Sequence, residues 1–500
     1  MHSCMAGDTE MRQLRCAVIG AGMAGILSTI KLREAGIDDV TIYEKGDAFG
    51  GTWRENTYPG LSCDVPSHLY SFSFQPNTEW SHRFSPGPEI RAYFEDVATR
   101  HGLHADTRFG EEVTSCQFVE GRWHLETSSV THDVVDVVIA ATGVLHHPNV
   151  PTLEGLETFG GRSFHSARWD HDVEIDGRRV GVIGTGSTAV QITGAIVDRV
   201  SSFTLFQRTA QWILPLQNPP YTEDERAKFR QDQALMAQTR REFAQVFTEG
   251  FADALVNAES PEMQMLEDMC RDNLEKSVTD PVLRERLRPT YRAACKRLVL
   301  SENFYDAIQR PNAHLATAPI DRVEPRGIRT TDGALHELDV IVLATGFKVD
   351  RFVRPTKVLG EGGLDLDEVW SDGPIAYLSI SVPGFPNFFM LNGPNGPVGN
   401  FSLIEVAELQ MAYIMALIGA LRSGEATQVS AGEEATKRLE AERRAAAGST
   451  IWMTGCRSWY LDRHGVPATW PWGFTRFREA MTSPDWGDFD LVGPVATALT

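Results

Sequence analysis

The sequence predicts an α/β fold with two parallel-sheet domains, the second of which is interrupted by a helical insertion. Two observations support this prediction. A unit of strand, glycine-rich loop, helix and strand occupies residues 15–45 and returns at residues 179–209. Between residues 222 and 292 the chain is charged and has helical spacing instead.

The first unit reads "RCAVIGAGMAGILSTIKLREAGIDDVTIYEK" and ends its second strand in Glu44. Gly20 allows the tight turn after the strand, Gly22 lets the backbone approach a pyrophosphate, and Gly25 lets the helix pack on the strand. The helix N-terminus then faces the phosphates. Because the strand, the helix and the terminal acid are all in register, the unit predicts a Rossmann-like dinucleotide site.

The second unit reads "RVGVIGTGSTAVQITGAIVDRVSSFTLFQRT". Gly184, Gly186 and Ala189 occupy its glycine positions. Ser187 and Thr188 begin its helix, and they are therefore candidate phosphate-binding residues. The unit predicts a second Rossmann-like site.

The two units differ in the charge at the end of the second strand. Glu44 lies 24 residues after Gly20, and Arg208 lies 24 residues after Gly184. A carboxylate accepts hydrogen bonds from free ribose hydroxyls and repels a 2′-phosphate, whereas a guanidinium attracts that phosphate. The first unit is therefore expected to bind FAD or NAD and the second NADPH, unless Arg208 is only a solvated surface charge.

The stretch "FGGTW", residues 49–53, decides between FAD and NAD. Its paired glycines, Gly50 and Gly51, would let the backbone approach an extended dinucleotide. With an NADP site elsewhere in the chain, the resident cofactor of the first unit is most economically FAD. The sequence therefore predicts FAD and NADPH as the two cofactors.

These motifs divide the chain into segments. We expect residues 1–147 to form the first part of the FAD-binding domain, 148–178 an interdomain linker, 179–221 the first part of the NADPH-binding domain, 222–292 the helical insertion, 293–346 the second part of the NADPH-binding domain, and 347–500 the second part of the FAD-binding domain with a C-terminal loop. The insertion is expected either to cap a substrate pocket or to be a solvated addition.

Composition narrows the class of partner. The chain has 500 residues, 42% of them hydrophobic, and a formal net charge of −20, which opposes nucleic acid and anionic membrane surfaces. Small-molecule chemistry is the expectation that remains. The N-terminus lacks the pattern of a signal peptide, so a cytoplasmic location is expected. Residues 403–424 are expected to form an amphipathic core helix, because Glu405 and Glu408 disfavour a membrane span.

The cysteines and histidines predict no structural metal or disulfide framework. Seven cysteines are scattered without a CxxC pair, and no spacing among the four histidines at 146, 147, 165 and 171 resembles a metal site. The sequence therefore predicts no metal centre and argues against a disulfide framework.

A further stretch, "FGGRSFHSARWD", places Phe159, Gly161, His165, Trp169 and Asp170 at fixed intervals. With the two dinucleotide units, it resembles the fingerprint of the class B flavoprotein monooxygenases, and within them the type I Baeyer-Villiger monooxygenases. Related N- and S-oxygenating enzymes usually end the stretch in Phe or Tyr, so Trp169 favours the Baeyer-Villiger branch. We interpret the stretch as a hinge that couples movement of the NADPH domain to the flavin site.

The resemblance also implies roles for single residues. In the segment after the first unit it implies that Gly51, Thr52, Trp53, Asp64 and Tyr70 contribute to the cofactor site. One departure occurs there, because some relatives have Arg two residues before the aspartate where this chain has Ser62.

In the second half of the chain, "FQRT" matches the family through Arg208 and Thr209. In "CKRLVL" the resemblance implies that Lys296 helps to hold the NADPH 2′-phosphate and that Arg297 is the catalytic arginine, partnered by Asp64. Without the resemblance, Lys296 and Arg297 would be interpreted as surface charges beside an apolar strand. In the C-terminal loop, Trp459 is the candidate contact to NADP and substrate.

The activity implied by the resemblance is oxygen insertion beside a ketone carbonyl through a peroxyflavin, giving an ester or lactone. Ketone and dioxygen are then the small-molecule partners, and the protein is expected to be a monomer or a homodimer. Two alternatives remain open: a flavin monooxygenase that oxygenates nitrogen or sulfur, and a redox-sensing or structural flavoprotein that binds both nucleotides without turnover.

Overall fold

The computed structural model describes residues 11–399 and 401–493. In this part of the chain the strands are, in order, β1 (Cys16–Ile19), β2 (Val40–Glu44), β3 (Thr107–Phe109), β4 (Val113–Val119), β5 (Arg122–Thr127), β6 (His132–Val135), β7 (Val137–Ala140), β8 (Arg162–His165), β9 (Arg179–Ile183), β10 (Ser202–Phe206), β11 (Ile213–Pro215), β12 (Val299–Ser301), β13 (Ala313–Ala316), β14 (Ile320–Glu324), β15 (Gly327–Thr330), β16 (Leu335–Glu337), β17 (Val340–Leu343), β18 (Lys357–Leu359), β19 (Phe388–Met390), β20 (Gln428–Ala431) and β21 (Phe489–Val492).

The α-helices in the same part of the chain are α1 (Met23–Glu34), α2 (Thr52–Glu55), α3 (Gly87–Arg100), α4 (Ser187–Ile196), α5 (Glu223–Gln231), α6 (Gln233–Gln245), α7 (Asp253–Val256), α8 (Pro261–Ser277), α9 (Pro281–Arg286), α10 (Phe304–Ile308), α11 (Leu366–Val369), α12 (Leu403–Ser423), α13 (Glu433–Ala446) and α14 (Phe474–Ala480). A π-helical stretch, Val246–Ala252, joins α6 to α7.

Two parallel five-stranded sheets organise the molecule. The first has the strand order β19-β7-β1-β2-β3 and the second β13-β10-β9-β17-β8. Strands β1 and β7 are buried along their whole length, as parallel strands covered by other elements on both faces must be. The predicted α/β fold with two Rossmann-like domains is confirmed.

The chain crosses between the two sheets. β17 pairs with β9 in the second sheet, and β19, farther along the chain, pairs with β7 in the first sheet. A mixed sheet, in the order β18-β4-β5-β6, packs against the first sheet in an apolar core that includes the buried Trp123. The first sheet is therefore built from both ends of the sequence.

The fingerprint stretch has regular structure. β8 lies at the edge of the second sheet, where it pairs in parallel with β17, and His165 is opposite Leu343. The segment expected to be an interdomain linker thus contributes a strand to the second domain. The alternation within "RSFH" is too short to predict a strand, because an edge strand of four residues carries little periodicity.

The insertion is helical, and it packs against two other parts of the molecule. A capping box begins α5, the first helix of the insertion. The Thr222 side chain accepts a hydrogen bond from the Glu225 N–H, and the Glu225 carboxylate accepts one from the Thr222 N–H. Farther along, α8 packs together with residues 293–298 and with the C-terminal residues 451–461 in one apolar core. The insertion therefore connects the second domain to the C-terminal segment.

One expectation about the cysteines is wrong. Cys295 and Cys456 form a disulfide across 161 residues of sequence, whereas Cys16, Cys63, Cys116 and Cys270 are free and buried. The pairing is not visible in sequence spacing, because the fold alone brings these two positions together.

Helix α12 is long and apolar enough to cross a membrane by length and composition, and 56% of its most apolar window is buried inside the fold. There it runs along α1 in the core of the first domain.

Replacing Gly25 by Ala should destabilise the first domain. A Cβ at this position would lie 1.9 Å from the Gly20 carbonyl oxygen, within the backbone of the turn that precedes α1. We expect a cost of about 1–3 kcal/mol, measured as a lower melting temperature and a lower FAD content. Gly419→Ala in α12 is the matched control, because no heavy atom lies within 4 Å of its added Cβ. Equal melting temperatures for the two variants would contradict the packing role of Gly25.

Candidate active site

The first dinucleotide unit has a backbone cradle at the N-terminus of α1. Gly20 has a φ of +104°, and the loop that carries Gly51 approaches so closely that a Cβ on Gly51 would lie 2.9 Å from the Gly22 Cα. Side chains at these positions would fill the space in which a pyrophosphate meets the helix N-terminus. The cradle fits the FAD expected from the sequence.

Glu44 lies at the end of β2 and is 5% exposed. Its Oε2 accepts a hydrogen bond from the Ala21 N–H at 2.8 Å, and its Oε1 accepts from the Gly46 N–H and from Arg54 Nη1, at 2.7 and 2.8 Å. A carboxylate has about four acceptor positions, so one remains for a ribose hydroxyl. The sequence analysis did not predict a role for Arg54. Its guanidinium forms an ion pair with the Glu44 carboxylate and holds that carboxylate in place.

Trp53 and Tyr70 form the side of the site next to α2. Trp53 Nε1 donates to the Tyr70 hydroxyl at 3.2 Å, and the two rings are edge to face at 5.7 Å. Burial raises the pKa of Tyr70 above its ordinary value. The phenol therefore stays neutral. Thr52, the first residue of α2, directly follows Gly51 of the cradle and precedes Trp53 in sequence.

The second unit repeats the turn and leaves open space above it. Gly184 has a φ of +126°, and its added Cβ would lie 2.2 Å from the Ala344 carbonyl oxygen. A Cβ on Gly186 would meet no heavy atom within 4 Å. Ser187 and Thr188 begin α4 directly after this open position. The helix N-terminus can therefore accept a pyrophosphate.

Arg208 and Lys296 come together from opposite sides of the helical insertion. Arg208 is exposed, and Thr209 after it accepts a hydrogen bond from the Thr185 hydroxyl at 2.7 Å through its carbonyl. Desolvation and the nearby charge of Arg208 lower the pKa of Lys296. The Lys296 ammonium lies 5.0 Å above the ring of Tyr291. Two cations that lie near one another fit a dianionic 2′-phosphate.

Arg297 and Asp64 form an ion pair between the two halves of the molecule. Arg297 Nη2 donates to Asp64 Oδ2 at 2.6 Å, and Nη1 donates to the Gly399 carbonyl oxygen at 2.6 Å. Each side chain of the pair is 28% exposed. Burial acts to lower the pKa of Arg297, but the charge of Asp64 and the contact with Tyr460 raise it above the ordinary arginine value. The guanidinium is therefore a fixed cation at every working pH.

Three further residues, Trp459, His165 and Trp169, were also singled out from the sequence. The structure shows how their side chains pack, which does not test their predicted roles. Trp459 is 41% exposed and stacks on Tyr460, with ring centroids 4.1 Å apart. At the end of β8, His165 Nδ1 accepts from the Ala167 N–H, and burial lowers the pKa of the ring. Trp169 is buried, with its ring edge to face with Phe164 at 5.1 Å. The roles predicted for Trp459 and His165 stay predictions.

Besides Arg54, two further groups in the site were not predicted from the sequence. Gln191, on α4, donates to the Ser62 carbonyl at 3.0 Å and accepts from the Tyr58 hydroxyl at 2.8 Å. It thus joins the NADPH side to the segment just before Asp64. Tyr460, the second group, contacts Arg297. A lone Gln in a helix and a Tyr in an aromatic run carry no sequence signal of these contacts.

Comparison with known proteins finds monooxygenases that are similar to this chain over most of its length. Residues 13–353 match the profile of the flavin-binding monooxygenase-like family. An uncharacterized monooxygenase of Mycobacterium tuberculosis is 48% identical over 475 residues, 95% of each chain. A Baeyer-Villiger monooxygenase of Streptomyces coelicolor is 39% identical, covering 96% of this chain and 93% of its own.

Solved structures of monooxygenases are also similar to this chain. Cyclohexanone monooxygenase from Rhodococcus, bound to NADP⁺, is 29% identical with a TM-score of 0.85 and covers 97% of this chain and all of its own. An oxidized steroid monooxygenase bound to NADP is 30% identical with a TM-score of 0.86, covering 96% of this chain and all of its own. The chain is similar to these proteins along nearly its entire length.

Replacing Arg208 by Ala should weaken NADPH much more than NADH. The substitution removes a cation from beside Lys296, and only NADPH has the phosphate that this cation would bind. We expect the KM for NADPH to rise about tenfold or more, the cost of one hydrogen bond to a charged group, with the KM for NADH nearly unchanged. Steady-state kinetics with both nucleotides measure this, and an equal rise for both would refute the phosphate role.

The affinity for NADPH should also fall at alkaline pH. Because the pKa of Lys296 is lowered, the ammonium is lost at a lower pH than in an ordinary lysine, and the positive charge at the phosphate disappears with it. The KM for NADPH is therefore expected to rise as the pH increases toward that of lysine deprotonation. In Lys296→Arg the charge persists, so its KM should stay flat over the same range. Identical pH profiles would exclude Lys296 from the phosphate site.

Proposed function

The chain belongs to the flavin-binding monooxygenase-like family, and on that premise we propose that it inserts one oxygen atom beside the carbonyl of a ketone. The product is an ester or a lactone, the reductant is NADPH, and the oxidant is dioxygen. In balance, ketone, dioxygen, NADPH and a proton give ester, NADP⁺ and water. The observation that best supports this proposal is the guanidinium of Arg297, held by Asp64 and Gly399 between the two dinucleotide sites.

FAD, when bound, supplies the redox chemistry, taking a hydride from NADPH and activating dioxygen. The residues that would hold it are those of the first cradle, Gly20, Gly22, Gly51 and Glu44. They bind and orient the cofactor.

The chemistry asked of the protein is stabilisation of negative charge on oxygen. Arg297 can do this because a guanidinium does not lose its proton, whereas a buried lysine could. Asp64 orients the guanidinium and offsets the cost of its burial with an opposite charge at 2.6 Å. The same guanidinium can stabilise the anionic oxygen of the reacting ketone, where charge develops as oxygen is inserted.

The second site would hold NADPH through the open turn at Gly186 and the two cations Arg208 and Lys296. Glu44, at the equivalent position in the first site, repels a 2′-phosphate, so each site selects its own nucleotide. This division keeps the reductant and the resident cofactor in separate domains.

The relatives favour ketone oxidation over oxygenation of nitrogen or sulfur, because proteins called Baeyer-Villiger monooxygenases match this chain at 36–39% identity. Trp169, at the end of the fingerprint, supports the same branch. We further propose that the enzyme works in the cytoplasm as a monomer or homodimer on a small-molecule ketone. The net charge of −20 supports a partner that is neither nucleic acid nor an anionic membrane.

The proposal is tested with the purified protein loaded with FAD, supplied with NADPH, isotopically heavy dioxygen and a panel of linear, cyclic, aromatic and polycyclic ketones with amines and sulfides. We expect at least one ketone to gain one heavy oxygen as an ester or lactone, detected by mass spectrometry. If only N- or S-oxides form, the activity belongs to heteroatom oxygenation. If hydrogen peroxide is the sole product for every compound, ketone oxidation is refuted for this panel.

A further inference from the structure

Arg297 has a third neighbour beyond Asp64 and Gly399. Tyr460 is 3% exposed, and its hydroxyl lies close enough to the Arg297 guanidinium to help raise the pKa of that group. The same hydroxyl fills the space over Gly399, where an added Cβ would lie 2.3 Å from the phenol oxygen. The phenol thus touches both the guanidinium and the residue whose carbonyl accepts from it.

The segment that carries Tyr460 is fixed on several sides. Its carbonyl accepts from the Ala468 N–H at 2.7 Å, and its ring lies 5.3 Å from that of Trp452. Thr469 donates through its hydroxyl to the Gly396 carbonyl at 3.0 Å, which joins the segment to the loop leading to Gly399. The phenol is therefore held in place by its backbone as well as by packing.

A covalent bond ties this segment to the catalytic arginine. Cys456 lies four residues before Tyr460, and Cys295 lies two residues before Arg297, and the two cysteines are joined in a disulfide. Both sulfur-bearing residues are buried in the core that residues 293–298 share with residues 451–461. The disulfide joins the segment that carries Arg297 to the segment that carries Tyr460. It therefore restricts movement of the C-terminal segment relative to Arg297.

Resting on the function proposed above, we propose that Tyr460 is a positioning residue for Arg297 and that the Cys295–Cys456 disulfide holds it in that position. A guanidinium has several N–H donors in one plane. Asp64 and the Gly399 carbonyl accept from two of these groups, and the Tyr460 hydroxyl, which lies against Gly399 and beside the guanidinium, restricts the plane of the group. The remaining N–H groups are then held in one orientation, in which they would be available to a reacting oxygen.

Tyr460→Phe tests the positioning role, since it keeps the ring and removes only the oxygen. We expect the rate at which NADPH reduces bound FAD to stay within about twofold, while ester formed per NADPH falls about tenfold, the cost of one hydrogen bond to a charged group. Hydrogen peroxide should account for the missing product. An unchanged yield of ester per NADPH would overturn the proposal.

Tyr413→Phe is the matched control. Tyr413 is a buried tyrosine in α12, in the core of the first domain, so its loss of a hydroxyl reports any general effect of such a change. Melting temperature and FAD content are measured for both variants. A fall in yield of the same size in Tyr413→Phe would mean that the effect is structural, and it would overturn the role of Tyr460.

A double-substitution cycle shows whether Tyr460 acts through Arg297. The readout is the rate of hydrogen peroxide release without ketone, which remains measurable when no ester forms. If the phenol only positions the guanidinium, Tyr460→Phe should change this rate in the wild-type enzyme and add nothing in Arg297→Ala. Independent effects that add fully would overturn the proposal even if Tyr460→Phe lowers stability.

The tether is tested by reduction. A dithiol exchanges with the Cys295–Cys456 bond to give two cysteine thiols and the oxidised dithiol. We expect ester per NADPH to fall in the reduced wild type, and to be equally low in Cys456→Ser with or without the dithiol. If mass spectrometry shows complete reduction and the yield is unchanged, the disulfide does not hold Tyr460 in position.

These tests distinguish the two proposals. A wild-type enzyme that oxygenates no ketone refutes the proposed function. A wild-type enzyme that forms ester with tight use of NADPH, and whose Tyr460→Phe variant does the same, refutes only the positioning role.

Discussion

The ion pair between Arg297 and Asp64 is the interaction on which the site depends. The two residues lie 233 positions apart, and they meet at 2.6 Å only because the chain leaves the first domain, completes most of the second and its helical insertion, and then turns back. A cation at this place is costly to bury alone, and the carboxylate offsets that cost. The ion pair thus depends on contact between segments that are distant in sequence.

The helical insertion has a structural part in the same arrangement. It directly precedes the irregular segment that carries Lys296 and Arg297 and leads into β12, and its helix α8 shares a core with residues 293–298 and with the C-terminal segment. Residues from three distant regions thereby enclose one guanidinium. The insertion thus packs against this region through apolar residues, and the ring of its Tyr291 lies 5.0 Å from the Lys296 ammonium.

Much of this could be predicted from sequence, because the decisive signals are local. The turns at Gly20 and Gly184 and the opposite charges at Glu44 and Arg208 follow from spacing alone, and the fold prediction rested on them. Arg297 and Asp64 were identified only through resemblance to a family. The Cys295–Cys456 bond, the strand β8 and the contact of Tyr460 could not be found, since each depends on tertiary packing between segments with no periodic signal.

The role of Arg297 is best measured by following the two half-reactions of Arg297→Ala separately by rapid mixing. A guanidinium that acts only on charged oxygen predicts that NADPH still reduces the bound FAD at nearly the wild-type rate, while ester formation falls at least about a hundredfold and NADPH is consumed to hydrogen peroxide. Ester formation at the wild-type yield in this variant would contradict the central role of Arg297.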